Sequence, residues 1–199
     1  MKLPNTAHTS RPWRIHELAG DFRLEDVWAL PTPGRADEFA TFVEGFAAAD
    51  PAQTMPCAAR GLLSLRWKLG DLFGLDEQGS GLGSRVTTLR ERLPDDLRAT
   101  AGPVFASLPF TSLYLTDYEF AAETANQTMH GILHLGWVAD DDGGGDYRGQ
   151  MAVYVKPNGL LGNAYMAAIK PFRHLIVYPQ MLHSMERRWH ERPDGEPPA

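Results

Sequence analysis

The chain has 199 residues, of which 43% are hydrophobic and 22% are charged, and its formal net charge is -6. This length suits one domain with a full hydrophobic core, and an acidic chain without a basic stripe argues against nucleic acid as a partner. The sequence has no apolar run long enough to cross a membrane, no secretory signal pattern and only one cysteine, so we expect a cytoplasmic protein.

Both ends of the chain have the composition of loose segments. Residues 1–12 are polar and contain two prolines, and residues 192–199, "RPDGEPPA", are rich in proline and charge. We therefore predict a flexible N-terminus, a single domain over residues 13–191, and a disordered tail.

Two helices are predicted in the first half of the domain. Residues 13–34 indicate one or two short strands, which the cluster Pro31–Gly34 should end. Aromatic residues recur at helical spacing in residues 35–50, and leucines do so in residues 57–75. Residues 86–97 suit a short helix or a loop. The region therefore contributes a strand region followed by two helices.

The second half has the pattern of an antiparallel sheet followed by a helix. β-branched and aromatic residues follow Pro109, and the acidic, glycine-rich stretch Asp140–Asp146 is typical of a hairpin turn. We interpret Tyr147–Pro157 and then Leu160–Lys170 as strands. Residues 171–191 carry the apolar stripe of a long final helix, with Pro171 at its first position and Pro179 as a kink. The fold class is therefore α+β.

Two histidines four residues apart, His130 and His134, stand out in this sheet. They share a face in a strand and in a helix alike, and the glycines around them favour a strand. Three interpretations stay open: metal ligands, although the sequence has no metal-binding signature; acid/base groups in an apolar cavity; or neutral side chains satisfied by their neighbours.

Glu119 and Glu123 are the candidate partners of these histidines. They share a strand face, so a carboxylate next to an imidazole would orient the ring and favour its charged form. The alternative is a solvated strand edge. Because both faces of the His130–His134 strand are largely apolar, we expect either a chain segment or a second subunit to cover one of them, which makes a homodimer a hypothesis.

Aromatic and polar side chains in apolar stretches are further candidates for the wall of a pocket, although each also suits core packing. They are Trp67, Tyr114, Tyr118, Tyr154, Asn163, Tyr165 and Arg173. We place Tyr114 and Tyr118 on the face opposite Glu119 and Glu123. Arg173 predicts an anionic neighbour, either one of these glutamates or a ligand carboxylate, and a structural ion pair is the favoured interpretation.

Three segments resemble an uncharacterised bacterial family, the domain of unknown function 2867. They are "FRLEDVWALPTPG", "LPFTSLYLTDYEFAAETANQTMHGILHLGW" and "YRGQMAVYVKPNGLLGNAYMAAIKPFRHLIVYP". The order of elements resembles the START-like helix-grip fold. This resemblance implies a curved antiparallel sheet wrapped around a long C-terminal helix, an apolar cavity between them, and two short helices between the first and second strands. Family members occur alone or fused to nicotinamide-cofactor-binding domains.

The resemblance implies binding of a small hydrophobic or aromatic molecule in that cavity. A catalytic version is a cofactor-independent cyclase, isomerase or dehydratase in which His130 or His134 transfers a proton and Glu119 or Glu123 orients it. The alternatives are a non-catalytic carrier or sensor, and an interaction domain that docks on a nicotinamide-cofactor oxidoreductase. We expect no metal, cofactor or membrane partner.

Overall fold

The computed structural model describes residues 1–50, 82, 86–140 and 146–191, apart from the side chains of three residues in the C-terminal helical region. The predicted helix at residues 57–75, with Cys57 and Trp67, lies outside the described residues. In the described part of the chain, no helix has an apolar stretch sufficient to span a bilayer.

A six-stranded antiparallel sheet forms the centre of the fold, in the order β1-β2-β6-β5-β4-β3. The strands are β1 Lys2–Leu3, β2 Arg23–Gly34, β3 Thr111–Leu115, β4 Glu119–Ala125, β5 Met129–Ala139 and β6 Tyr147–Pro157. The predicted hairpin is confirmed, because β5 and β6 pair along their whole lengths up to Ala139 and Tyr147. Its loop, residues 141–145, lies outside the described residues.

Short helices precede the sheet's central strands and a long helical region follows them. They are α1 Thr6–Thr9, α2 Ile15–Leu18, α3 Phe39–Ala48, α4 Asp95–Arg98, α5 Gly159–Phe172 and α6 Tyr178–Glu191. Two 3-10 turns occupy Ala36–Glu38 and Leu89–Arg92, and a π-helical turn, Arg173–Val177, joins α5 to α6. An α+β fold with a sheet packed against a long C-terminal helix is therefore confirmed.

Each face of the sheet has its own hydrophobic core. On the helix face, α3 and α6 pack on the sheet, and the buried side chains include Trp28, Phe42, Phe120 and Trp137. On the opposite side, which we call the N-terminal face, α2 and residues 89–97 cover the sheet. Because the chain itself covers this second face, the observation that suggested a homodimer no longer requires one, and the homodimer stays a prediction.

The first residues of the chain are part of the sheet's cover. For residues 1–12 the sequence predicts a flexible start, but Lys2 and Leu3 pair with β2 and His8 in α1 is completely buried. The composition of this segment is polar, and only its contacts with distant strands place it on the sheet.

The cluster Pro31–Gly34 is predicted to end its element, and β2 does end at Gly34, although the strand includes all four residues. Proline lacks a backbone donor and is tolerated at edges and bulges of a sheet. Both conditions hold here: β1 pairs only with Val27 and Trp28, and the register with β6 shifts between Ala29 and Pro33.

The interpretation of Leu160–Lys170 as a strand is also wrong, because these residues lie in α5. The segment is rich in alanine, leucine and methionine, which favour a helix. Gly162 allows α5 to approach the turn between β4 and β5, where a Cβ would lie 2.2 Å from the carbonyl oxygen of Thr128. Pro171 consequently lies inside α5 and does not begin a helix.

Candidate functional site

The first polar centre is a buried pair, His134 and Glu119, on the N-terminal face. Antiparallel pairing of β4 with β5 sets Ala121 opposite His134, so that Glu119 reaches the ring diagonally. His134 Nε2 lies 3.0 Å from Glu119 Oε2, and the carboxylate also accepts the backbone N–H of Arg14 at 2.9 and 3.1 Å. A carboxylate only accepts, so Nε2 carries the proton and Nδ1 is left with a lone pair.

A second pair, His130 and Glu123, has the same arrangement four residues away on the same two strands. His130 Nε2 donates to Glu123 at 2.8 Å. The carboxylate also accepts the backbone N–H of Leu89 at 3.1 Å and the hydroxyl of Thr88. Glu119 and Glu123 are buried, so the solvated-edge alternative is wrong. Each glutamate links a histidine on β5 to the first turn of a segment that covers the sheet.

His134 lies in a cluster of rings that the N-terminal segment supplies. The ring of His8 lies 4.9 Å from that of His134 and 5.2 Å from that of His16, and the ring of Trp13 lies 5.2 Å from His134. Tyr154, a predicted pocket residue, is also part of this cluster. The sequence interpretation missed His8, Trp13 and His16, although two histidines and a tryptophan within nine residues of an otherwise polar stretch were a signal.

His8 is held as a neutral ring by two hydrogen bonds. The Tyr154 hydroxyl donates to His8 Nε2 at 2.8 Å, and His8 Nδ1 donates to Gln150 Oε1 at 3.1 Å. Burial, reinforced by the neighbouring His134, lowers the pKa of His8 to about 3. The N-terminal segment is therefore fastened to β6 by a hydrogen-bond chain that requires an uncharged imidazole.

Four buried polar atoms near His134 have no hydrogen-bond partner among the described residues. They are Trp13 Nε1, His16 Nε2, Tyr114 Oη and His134 Nδ1. Burial lowers the pKa of His134, and Glu119 offsets part of that effect. Buried polar atoms without partners are rare in native proteins, so these four atoms mark the cluster as a candidate site.

Tyr114 belongs to this cluster because of its pairing with β4. The sequence places Tyr114 on the face opposite Glu119 and Glu123, but β3 ends at Leu115, and Tyr114 pairs with Ala121, which lies between the two glutamates on β4. Directly paired residues share a face, so Tyr114 lies on the N-terminal face, where burial and the charge of Glu119 raise its pKa. Its predicted orientation is therefore wrong.

No metal-binding group forms from these residues. In the described ranges of the chain, no three histidine, cysteine or acidic side chains are arranged to hold a metal ion. His130 and His134 each donate Nε2 to a different glutamate.

The second polar centre is Asp26, at one end of the helix face. Its carboxylate accepts Arg173 Nη2 at 2.5 Å and His174 Nε2 at 2.6 Å, and Lys2 Nζ lies 3.2 Å away. Burial raises the pKa of Asp26, but Arg173 and His174 outweigh burial and the pKa is lowered. The favoured interpretation of Arg173 as an ion-paired residue is confirmed. Its partner is Asp26, and the prediction of Glu119 or Glu123 as that partner is wrong.

The remaining candidates lie apart from both centres or outside the described atoms. Tyr118 is 48% exposed and stacks on Tyr147 with ring centroids 6.3 Å apart. Asn163 is exposed, and its Nδ2 donates to the Gly159 carbonyl at 2.9 Å. The Tyr165 side chain and all of Trp67 lie outside the described part of the structure.

Residues 18–180 match the family model described as a protein of unknown function, DUF2867. The chain belongs to this family. The matched range includes both histidine–glutamate pairs and Asp26, whereas His8, Trp13 and His16 precede it. None of the curated proteins and none of the solved structures matches the chain.

Proposed function

We propose that this protein binds a small hydrophobic or aromatic molecule on the helix face, in the type of cavity that the helix-grip resemblance implies. The observation that carries this proposal is the dense layer of aromatic rings between the sheet and α6. Phe42 stacks on Trp137 with centroids 5.5 Å apart, and Trp189 of α6 meets both rings edge-on at 5.7 and 6.1 Å.

Several aromatic rings on the helix face are only partly buried. Phe46, Phe110 and Trp189 pack against the buried core but remain partly exposed. Ligand pockets are lined mainly by apolar and aromatic side chains with a few polar groups, and Asp26 with its cations supplies polar groups at one end. A carrier or sensor requires no more than this face.

A titration with a neutral apolar fluorophore, N-phenyl-1-naphthylamine, tests the proposal. We expect a saturable rise in its emission, weakened in Phe46→Ala and Phe110→Ala, whose side chains are only partly buried. Leu160→Ala is the matched control, because Leu160 is 89% exposed. Emission that never saturates, or that Leu160→Ala weakens as strongly, would contradict binding on the helix face.

Proton transfer by His134 is a second candidate function. It is supported by the buried lone pair of Nδ1, which lies next to the other unpartnered atoms of the cluster. Glu119 would orient the ring and stabilise the imidazolium formed when Nδ1 takes a proton. His130 is the matched comparison, since its ring has the same carboxylate contact but contributes no buried unpartnered atom within the described residues.

Substitutions of the two histidines distinguish proton transfer by His134 from a purely structural role. Once a substrate is known, His134→Asn should abolish turnover, and His130→Asn should change stability more than turnover. Full turnover by folded His134→Asn would remove proton transfer by His134 from the account.

A further inference from the structure

We propose that the helix face binds its ligand through a carboxylate, accepted between Trp28 and Arg173, so that the ligand is a carboxylic acid with an apolar body. This inference rests on the proposed binding on the helix face and names the chemical class of the ligand.

Two buried N–H donors without acceptors point to this class. Trp28 is 8% exposed, and its indole Nε1–H has no partner among the residues that the structure describes; the same is true of the Nε–H of Arg173. Indole and guanidinium groups only donate. Buried donors in native proteins nearly always meet an acceptor, so a bound molecule that satisfies them must bring acceptor oxygens.

Both side chains contact one aromatic ring, that of Tyr178, at the polar end of the helix face. The ring centroid of Tyr178 lies 4.9 Å from that of Trp28 and 5.7 Å from the guanidinium carbon of Arg173. Arg173 uses Nη2 to bind Asp26, and its Nε–H has no acceptor among the described residues. A carboxylate here would lie beside the aromatic layer that contacts the rest of the ligand.

The charge balance of this end also favours an anion. Two carboxylates, those of Asp26 and Glu25, face an excess of cations. Those cations are Lys2, Arg23, Lys170 and Arg173. Lys2, Arg23 and Lys170 are about half exposed, whereas the side chain of Arg173 is only 13% exposed. A ligand carboxylate is the acceptor that would give the buried Nε–H of Arg173 a charge-assisted hydrogen bond.

A matched pair of probes tests the inference: 1-naphthoate, and 1-naphthamide as its uncharged analogue. Affinities are measured by calorimetry, and the indole N–H signals are followed by ¹H–¹⁵N NMR. We expect naphthoate to bind at least about tenfold more tightly than naphthamide, as for a hydrogen bond to a charged group. We also expect naphthoate to move the Trp28 indole signal downfield.

Conservative variants locate the carboxylate. Trp28→Phe keeps an aromatic ring and removes an N–H that makes no bond in the described chain, and Arg173→Lys keeps a cation for Asp26 but removes Nε–H. Each should lower naphthoate affinity about tenfold and lower naphthamide affinity by less, because the uncharged amide oxygen is a weaker acceptor than a carboxylate. Arg92→Lys is the control, because Arg92 is exposed and binds Asp21 elsewhere.

The possible results separate the two proposals. Equal affinities for naphthoate and naphthamide, or a naphthoate affinity unchanged in both variants, would overturn the carboxylate inference and leave apolar binding intact. If neither probe binds the wild-type protein, binding on the helix face fails, and the inference fails with it.

Discussion

Removing the Glu119 carboxylate should release the N-terminal segment from the sheet. In Glu119→Ala, the N–H of His134 Nε2 and the backbone N–H of Arg14 both lose their acceptor in a buried site. A buried donor left without a partner costs about 1–3 kcal/mol, so the loss of an acceptor for two donors should lower the unfolding free energy by about 2–6 kcal/mol. Native domains are stable by about 5–15 kcal/mol, which makes this loss large.

Urea unfolding near pH 7, followed by tryptophan fluorescence and circular dichroism, measures this loss. Glu17→Ala is the matched control, since Glu17 also bonds to Arg14 but its side chain is 56% exposed. An exposed pair of this kind contributes about 0–1 kcal/mol. If Glu119→Ala lowered the unfolding free energy no more than Glu17→Ala, the Glu119 carboxylate would not hold the N-terminal segment on the sheet. The structural role of the His134–Glu119 pair would then be refuted.

Three further predictions concern packing and charge. Gly136→Ala should cost about 1–3 kcal/mol in urea unfolding, because its Cβ would lie 2.8 Å from the Trp13 ring; Gly131→Ala, whose Cβ would meet a flexible methionine, should cost less, and equal losses would contradict the tight contact. Since the pKa of His8 is lowered to about 3, its contribution is complete above its ordinary pKa of about 6.5 and is lost as pH falls towards 3, by up to about 1.4 kcal/mol per pH unit. Urea midpoints from pH 7 to 4 should therefore fall less steeply in His8→Asn, and identical slopes would oppose this. Asp26→Asn should cost about 3–5 kcal/mol by thermal or urea unfolding, because it leaves the largely buried Arg173 cation without its anion, and a loss below about 1 kcal/mol would contradict that role.

The histidine–glutamate pairing was predictable because residue spacing and one hairpin determine it. Glu119 and Glu123 are four apart, as are His130 and His134, and even spacing keeps each set on one face of its strand. A hairpin between β4 and β5 then brings the two sets together. The pairing required only a strand prediction and a turn, and no knowledge of distant contacts.

The packing of the N-terminal segment on the sheet was not predictable from residue spacing. His8 is buried because Gln150 and Tyr154, more than 140 residues away in sequence, bind both of its ring nitrogens. The composition of residues 1–12 does not indicate such long-range contacts. The orientation of Tyr114 depends on its pairing with Ala121 across the turn between β3 and β4, and counting alternate residues through a turn predicts the wrong face.

The segment Leu160–Lys170 shows that a short apolar pattern does not distinguish a strand from a helix. Leu160–Lys170 is short and largely apolar, and such runs fit a buried strand or a helix. The helix is favoured by its alanine content and by Gly162, which permits close contact with Thr128. That contact is a tertiary feature, so the strand prediction failed for a reason that the local sequence could not show.

Mild native mass spectrometry of the protein purified from its own host, with metal analysis of the same sample, is the most direct test of ligand binding on the helix face. We expect a co-purifying organic molecule with an apolar body, bound in a fixed ratio, and lost or weakened in Phe46→Ala. A protein that is consistently empty and free of metal would contradict ligand binding on the helix face, and a stoichiometric metal without an organic mass would contradict it as well.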